Sequence, residues 1–349
     1  MWYLFKMLSF ILIFGTTHGA YRNRRSMNPE ENMNISQIIS YWGYPDEEYD
    51  ITTEDGYILG LYRIPYGKTN SDNSSAQRLV VYLQHGLLTS ASSWISNLPN
   101  SSLGFLLADA GYDVWMGNSR GTTWSRKHLY LETNSKEFWA FSFDEMAKYD
   151  LPASIDFIVK QTQQEEIFYV GHSQGTTIAF ITFSTIPIIA GRIKIFFAFA
   201  PVFSIKYSKS PLIKMAYNWK SVIKSRMDVY MSQNPAGTSV QNMLHWSQLL
   251  NSSHLKAFDW GSPVLNLVHF NQTTSPLYNV ANMNVSTATW SGESDLLADP
   301  EDVKILLPEI RNHIYHKTIS YYNHIDFLFG LDVYHQVYHE IIDIIQGNL

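Results

Sequence analysis

The chain has no cysteine in 349 residues. That absence excludes disulfides, a thiol nucleophile, thiolate metal sites and thiol redox chemistry. A core of this size can be stable without cross-links. Charge is sparse too: Asp, Glu, Lys and Arg make up 16% of the residues, against about 25% in ordinary globular chains. The balance is −6, so there is no basic field to neutralise phosphates, and a nucleic-acid partner is excluded. No apolar run is long enough to span a bilayer. The run at residues 7–14 follows Lys6 and precedes the small residues Thr17, Gly19 and Ala20, which predicts a signal peptide over residues 1–19. Six N-x-S/T sequons, at Asn34, Asn73, Asn100, Asn251, Asn271 and Asn284, are candidate glycosylation sites and fit an exported chain. The expected destination is extracellular, with the lysosome as the alternative. Nothing in the sequence points to a metal or an organic cofactor.

Apolar sequence is plentiful, at 45% hydrophobic residues. Residues 49–53 and 57–62, separated by Glu54-Asp55-Gly56, predict a hairpin. Strands are predicted at 79–83, 112–116, 167–170, 193–200, 285–290 and 314–321. Helices are predicted at 103–110, after Asp150-Leu151-Pro152 with Asp150 as N-cap, after residue 175, and at 333–345. This alternation predicts one α/β domain over residues 20–349, built on a mainly parallel, doubly wound sheet. Residues 20–45 are polar and predict a loosely held arm. Residues 201–284 break the alternation and predict an inserted cap. Within it Leu212, Met215, Ala216, Trp219, Val222 and Ile223 share a helical face flanked by Lys214, Lys220 and Lys224. That face suits either a lid over the active site or a helix lying on the core.

Gly171-His172-Ser173-Gln174-Gly175 stands between an apolar strand and an apolar helix. Strand, G-x-S-x-G, helix is the context of a nucleophile elbow, in which a tight turn presents the serine hydroxyl at the sheet edge. The two glycines let strand and helix approach closely. The Gln174 amide then lies at a helix start, where it can bind a developing oxyanion. Gly117-Asn118-Ser119-Arg120-Gly121 has the same spacing, but polar and basic residues follow it. Ser119 is therefore read as a loop residue.

A serine nucleophile needs a base, and the base needs an orienting carboxylate. In α/β-hydrolases the order is Ser, then Asp or Glu, then His, each at the end of a strand. Glu293, Asp295, Asp299 and Asp326 compete for the acid. Asp295 lies just past the predicted strand, whereas N-capping explains Asp299 and solvent exposure explains Glu293. Among twelve histidines, His324 follows the last strand, where the base is expected, while His313 and His316 fall within or just before that strand. His85 and His172 are read as positioning or structural residues. The loop His85-Gly86-Leu87, after an early strand, is expected to offer the Leu87 amide as second oxyanion donor.

Leu83-Gln84-His85-Gly86-Leu87-Leu88, Asn118-Ser119-Arg120-Gly121, Gly171 through Thr177, Asp295 through Pro300, and Asn323-His324-Ile325-Asp326-Phe327 together resemble the acid lipase family, which includes gastric and lysosomal acid lipases. The resemblance runs from about Tyr41 to the C-terminus. It implies an α/β-hydrolase that cleaves triglycerides or cholesteryl esters, is secreted or lysosomal, and uses Ser173, Asp295 and His324 with Leu87 and Gln174 as oxyanion hole. It also implies a longer cap than this chain has. A block is absent near Lys224-Ser225, just before Arg226, and in the family that block supplies much of the lid and a cysteine pair.

The expected function is a secreted serine hydrolase acting on lipid esters through an acyl-enzyme, in peripheral contact with a membrane or lipid droplet. Two alternatives stand beside it: a catalytically impaired member with a truncated cap, and a short-chain esterase with an uncovered site. The sequence does not determine the oligomeric state.

Overall fold

The computed structural model describes residues 28–69, 77–208, 224–250 and 252–347. The chain forms a nine-stranded sheet among these residues. β1 (Glu47–Thr52) and β2 (Tyr57–Ile64) form the expected antiparallel hairpin. β3 (Val80–Gln84) and β4 (Asp113–Gly117) follow, and the two-residue β5 (Lys127–His128) pairs with β2. Then come β6 (Ile167–His172), β7 (Ile193–Phe199), β8 (Thr287–Gly292) and β9 (His313–Ile319). The spatial order is β1-β2-β4-β3-β6-β7-β8-β9, parallel from β4 to β9. Every residue of β3, β4, β6 and β8 is buried, as parallel strands covered on both faces require. Edge strand β9 alternates in exposure.

This order decides where chemistry can occur. From β3 the chain steps to β4 on one side, and from β6 it moves through β7 and β8 to β9 on the other. Connections that diverge in this way open a crevice at the carboxyl ends of β3 and β6.

The sequence reading needs correction at the N-terminal arm. Residues 35–41 form α1 (Ile35–Tyr41), capped by Asn34 and Gln37 in a reciprocal box. Ile35, Ile38 and Ile39, spaced along one helical face, are fully buried. Glu30 is buried as well and pairs with Arg226 from the segment between β7 and β8. The described part of the arm is therefore tied down.

Asp150 also differs from expectation. After α2 (Leu103–Asp109), the next α-helical segment begins at Phe143, where Ser142 and Glu145 form the capping box. It runs through a π-helical turn at Met146–Asp150 into α3 (Leu151–Thr162). Asp150 makes no side-chain cap bond. Its carboxylate instead accepts from the Arg120 backbone N–H at 2.9 Å and from Arg120 Nε at 2.7 Å.

α4 (Gln174–Thr185) follows β6. A β-carbon at Gly175 would stand 2.5 Å from the Gln84 carbonyl oxygen, and one at Gly171 2.9 Å from the Gly175 backbone. These two glycines are thus required for the strand and helix to meet. Between β7 and β8 lie α5 (Met227–Gln233), α6 (Val240–Leu249) and α7 (Pro263–Phe270). The amphipathic face expected at 212–223 and the signal peptide lie outside the described residues. Asp299 caps α8 (Pro300–Leu306), as anticipated, by accepting from the Glu301 amide. The C-terminal helix is a π-helical turn at Tyr334–Tyr338 followed by α9 (His339–Gln346). Of the sequon asparagines, Asn100, Asn271 and Asn284 are exposed and Asn34 is half-buried, while Asn73 and Asn251 fall outside the described residues.

His245 joins α6 to its surroundings. Nε2–H donates to the Lys256 carbonyl at 2.8 Å, and Nδ1 accepts from the Ser142 hydroxyl at 3.1 Å. Burial pushes its pKa from 6.5 down to about 3. The unfolded chain takes up a proton here below pH 6.5 and the folded chain does not, so this residue withdraws stability as pH falls from 6.5 toward 3. A His245→Gln variant is expected to gain stability relative to the parent steadily across that interval. A pH series of calorimetric melts checks this, and parallel curves would refute it.

Candidate active site

Ser173 occupies the turn between β6 and α4 with φ 55° and ψ −122°. A non-glycine residue there is strained, as a nucleophile elbow requires. Its hydroxyl lies 2.6 Å from His324 Nε2, and His324 Nδ1 lies 2.8 Å from Asp295 Oδ2. The three residues are 6%, 4% and 1% exposed, so these hydrogen bonds are shielded from water. Asp295 Oδ1 accepts from the Leu297 and Ala298 amides at 2.8 and 2.9 Å, which holds the carboxylate in place. Glu293, the neighbouring candidate, is exposed. Asp326 is buried and accepts from the Asn323 amide. His313 and His316 both contact Thr289 Oγ1 on the sheet.

The two expected oxyanion donors, Leu87 and Gln174, each adjoin a residue at the turn: Gly86 packs on Ser173, and Gln174 follows it. Gly86 sits so close that a β-carbon there would stand 2.8 Å from Ser173 Cβ, which brings the Leu87 loop beside Ser173. The Gln174 amide occupies the first turn of α4, where no intrahelical acceptor exists. Among the described residues, neither the Leu87 nor the Gln174 amide has an acceptor.

His85 and His172 act on backbone, as expected of positioning residues. The His85 ring accepts from the Ser119 amide at Nε2 (3.0 Å) and donates from Nδ1 to the Gly86 carbonyl (2.8 Å). His172 Nε2–H donates to the carbonyl of His324 at 2.9 Å and so holds the loop carrying the imidazole. Burial lowers their pKa values to about 4 and about 3. Both therefore stay neutral, and both bonds persist in mildly acidic surroundings. Ser119 is a buried loop residue whose hydroxyl accepts from Gln84 Nε2.

The sequence reading missed a layer around the donors. Gln174 Oε1 accepts from Asn242 Nδ2 at 2.9 Å and from Trp246 Nε1 at 2.7 Å, while its amide nitrogen contacts Met146 Sδ. On the other side, the Leu88 carbonyl accepts from the Ala236 amide at 2.7 Å. Both loops are thus buttressed by the segment between β7 and β8. Asn242 and Trp246, i and i+4 on α6, share a face, but no local signal names Gln174 as their partner. Among the described residues, no cluster of His, Asp or Glu converges to hold a metal ion.

A strained serine at the carboxyl end of a central parallel strand, in reach of an imidazole and a buried carboxylate, defines an α/β-hydrolase. Residues 35–98 match the family described as a partial alpha/beta-hydrolase lipase region, and residues 80–194 match the alpha/beta hydrolase fold. Lipase member J of Homo sapiens is 73% identical, over 91% of this chain and 100% of its own. Gastric triacylglycerol lipase of Homo sapiens is 53% identical, with 100% of both chains covered. The lysosomal acid lipase/cholesteryl ester hydrolase of Macaca fascicularis is 50% identical over 92% of each chain. Among solved structures, an esterase from Pyrococcus furiosus superposes with a TM-score of 0.55 at 14% identity, covering 93% of this chain and 96% of its own, which shows the fold. The chain belongs to the acid lipase family of α/β-hydrolases. The gastric lipase alignment runs over 397 positions, although this chain has 349 residues, so the relative contains residues with no counterpart here.

Proposed function

We propose that this chain is a secreted or lysosomal serine hydrolase that cleaves triglycerides or cholesteryl esters through an acyl-enzyme. The observation that carries the reading is the hydrogen-bonded series Ser173–His324–Asp295 at 2.6 and 2.8 Å. Ser173 Oγ attacks the ester carbonyl while His324 Nε2 takes its proton. Asp295 orients the imidazole and stabilises the imidazolium. The Leu87 and Gln174 amides receive the oxyanion of the tetrahedral intermediate. His324 then protonates the leaving alcohol, and a water activated by the same imidazole releases the fatty acid. Residues 201–284 serve as the cap. Rapid labelling by a fluorophosphonate probe, lost on Ser173→Ala, tests the assembly.

The alignment positions missing from this chain favour a second reading within the same chemistry: a shortened cap that leaves the site open to short, soluble esters. The ratio of activity on a dispersed short-chain ester to that on an emulsified long-chain triglyceride separates the two. A ratio strongly favouring the short ester would sink the lipase reading and leave the esterase one.

The contacts on Gln174 make a further prediction. Trp246→Phe keeps the ring and removes the N–H bonded to Gln174 Oε1. A loosened Gln174 is expected to lower kcat about tenfold with KM little changed, since the donor acts on charge that develops only in the transition state. Steady-state kinetics on a soluble ester check this. A rise in KM at constant kcat would assign Trp246 to substrate binding instead.

A further inference from the structure

The far end of α4 opens on a cavity of about 540 Å³, reached at Ile181, Thr185 and Ile186. With a helical rise of about 1.5 Å per residue, Thr185 lies about 18 Å along the axis from Ser173. The α4 wall of the cavity is therefore set away from Ser173, while Asp144 approaches His245, the neighbour of Trp246 on α6. Its walls are largely aromatic, formed by Tyr149, Phe258, Trp260, His269, Phe270 and Tyr278. Trp260 and His269 stack nearly parallel, 3° apart with centroids at 3.6 Å.

Two carboxyl groups, Asp144 and Glu145, face the same space. Asp144 accepts from the Phe258 amide and the Tyr278 hydroxyl, each at 2.8 Å. The basic group nearest to it is His245 at 3.9 Å, which burial keeps neutral. Lys148 lies at the rim with its ammonium 4.8 Å from the Tyr149 ring centre, and it forms no ion pair with Asp144 among the described residues. Burial, with the Glu145 carboxylate beside it, pushes the Asp144 pKa up to about 7, so the group is charged above that pH and neutral below it. The carboxyl end of the twelve-residue α4 adds the negative pole of its dipole. Above about pH 7 the cavity thus joins negative potential to π-faces, with Lys148 as a lining cation beside Tyr149.

We propose that this cavity binds the trimethylammonium head of a choline amphiphile, with the chain leaving past Leu265 and Leu277. Both oxygens of Asp144 already accept hydrogen bonds, so the carboxylate offers charge more than free lone pairs. That disfavours a metal ion, which needs several direct ligands, and suits a quaternary ammonium, which has no hydrogen to donate and is held by charge and aromatic faces. Lys148 at the rim suits the phosphate of a phosphocholine. Leu265 lies one turn before His269 on α7, Leu277 precedes Tyr278, and they are 46% and 62% exposed. Neither the ligand chemistry nor the cavity depends on the role given to Ser173.

The test is calorimetric titration of the full chain with hexylphosphocholine and with its neutral-headed isostere, hexyl 3,3-dimethylbutyl phosphate, neither of which has a carboxylic ester. The choline compound is expected to bind at least about tenfold tighter. That advantage is expected to fall in both Asp144→Asn and Trp260→Leu, with thermal melts reporting on their folding. Co-flotation with phosphatidylcholine but not phosphatidylglycerol vesicles would assign the head to a lipid surface, and binding of the dispersed compound alone would assign it to a soluble amphiphile. Equal affinity of the parent chain for the two titrants overturns the proposal, as does an advantage undiminished in both folded variants.

Discussion

Replacing Ser173 by alanine is expected to lower ester hydrolysis by about 10⁴-fold or more. The loss is that large because the three side chains act as one unit. Without the hydroxyl, His324 and Asp295 have no nucleophile to activate, and only donor geometry and substrate binding remain to assist water. Asp295→Asn is expected to lie in the same range. An amide there presents either its oxygen or its NH₂ to the imidazole, and it loses the charge that stabilises the imidazolium. Ser119→Ala is the internal control. That serine shares the G-x-S-x-G spacing but bonds Gln84 on the sheet, so probe labelling should survive its loss. The measurement is kcat on a soluble ester alongside fluorophosphonate labelling. Activity retained by the folded Ser173→Ala variant would remove the proposed mechanism.

Arg226→Met is expected to destabilise the fold by about 3–5 kcal/mol, the usual cost of stranding one member of a buried ion pair. Arg226 and Glu30 form a two-pronged pair, with side chains only 4% and 2% exposed. Arg226 also donates to the Ser96 carbonyl, and Glu30 accepts from Trp42 Nε1. Removing the guanidinium leaves a carboxylate away from water with one indole N–H. The double variant Glu30→Gln, Arg226→Met should recover part of the loss, because no charge is then left unpaired. Urea unfolding monitored by circular dichroism gives the numbers. A single-variant loss below about 1 kcal/mol, the range of exposed pairs, would show that the pair is hydrated in solution.

The elbow was legible because everything that makes it is contiguous. A buried strand, a turn with small neighbours and an apolar helix occupy residues 167–185. Asp295 and His324 were legible for a related reason: each follows a strand whose pattern marks its end, and strand ends share one margin of a parallel sheet. Asp150 misled because a local rule, Asp before Leu-Pro, was outweighed by a distant guanidinium. Arg120 also bonds Asp55 at 2.6 and 2.9 Å and lies 3.9 Å from the Tyr57 ring centre. The arm misled because its three buried isoleucines are dispersed among polar residues in a seven-residue helix.

Backbone periodicity and turn chemistry act between neighbours, and so the chain by itself determined the strand order along the sequence, the turn that carries Ser173 and the strand ends that carry Asp295 and His324. Which buried charge meets which, and which side chains hold Gln174, was decided only when distant segments packed. Glu30 and Arg226 are 196 residues apart, and Gln174 and Trp246 are 72 apart. Desolvation forces each buried polar group to find a partner, but only tertiary packing brings a particular partner within reach.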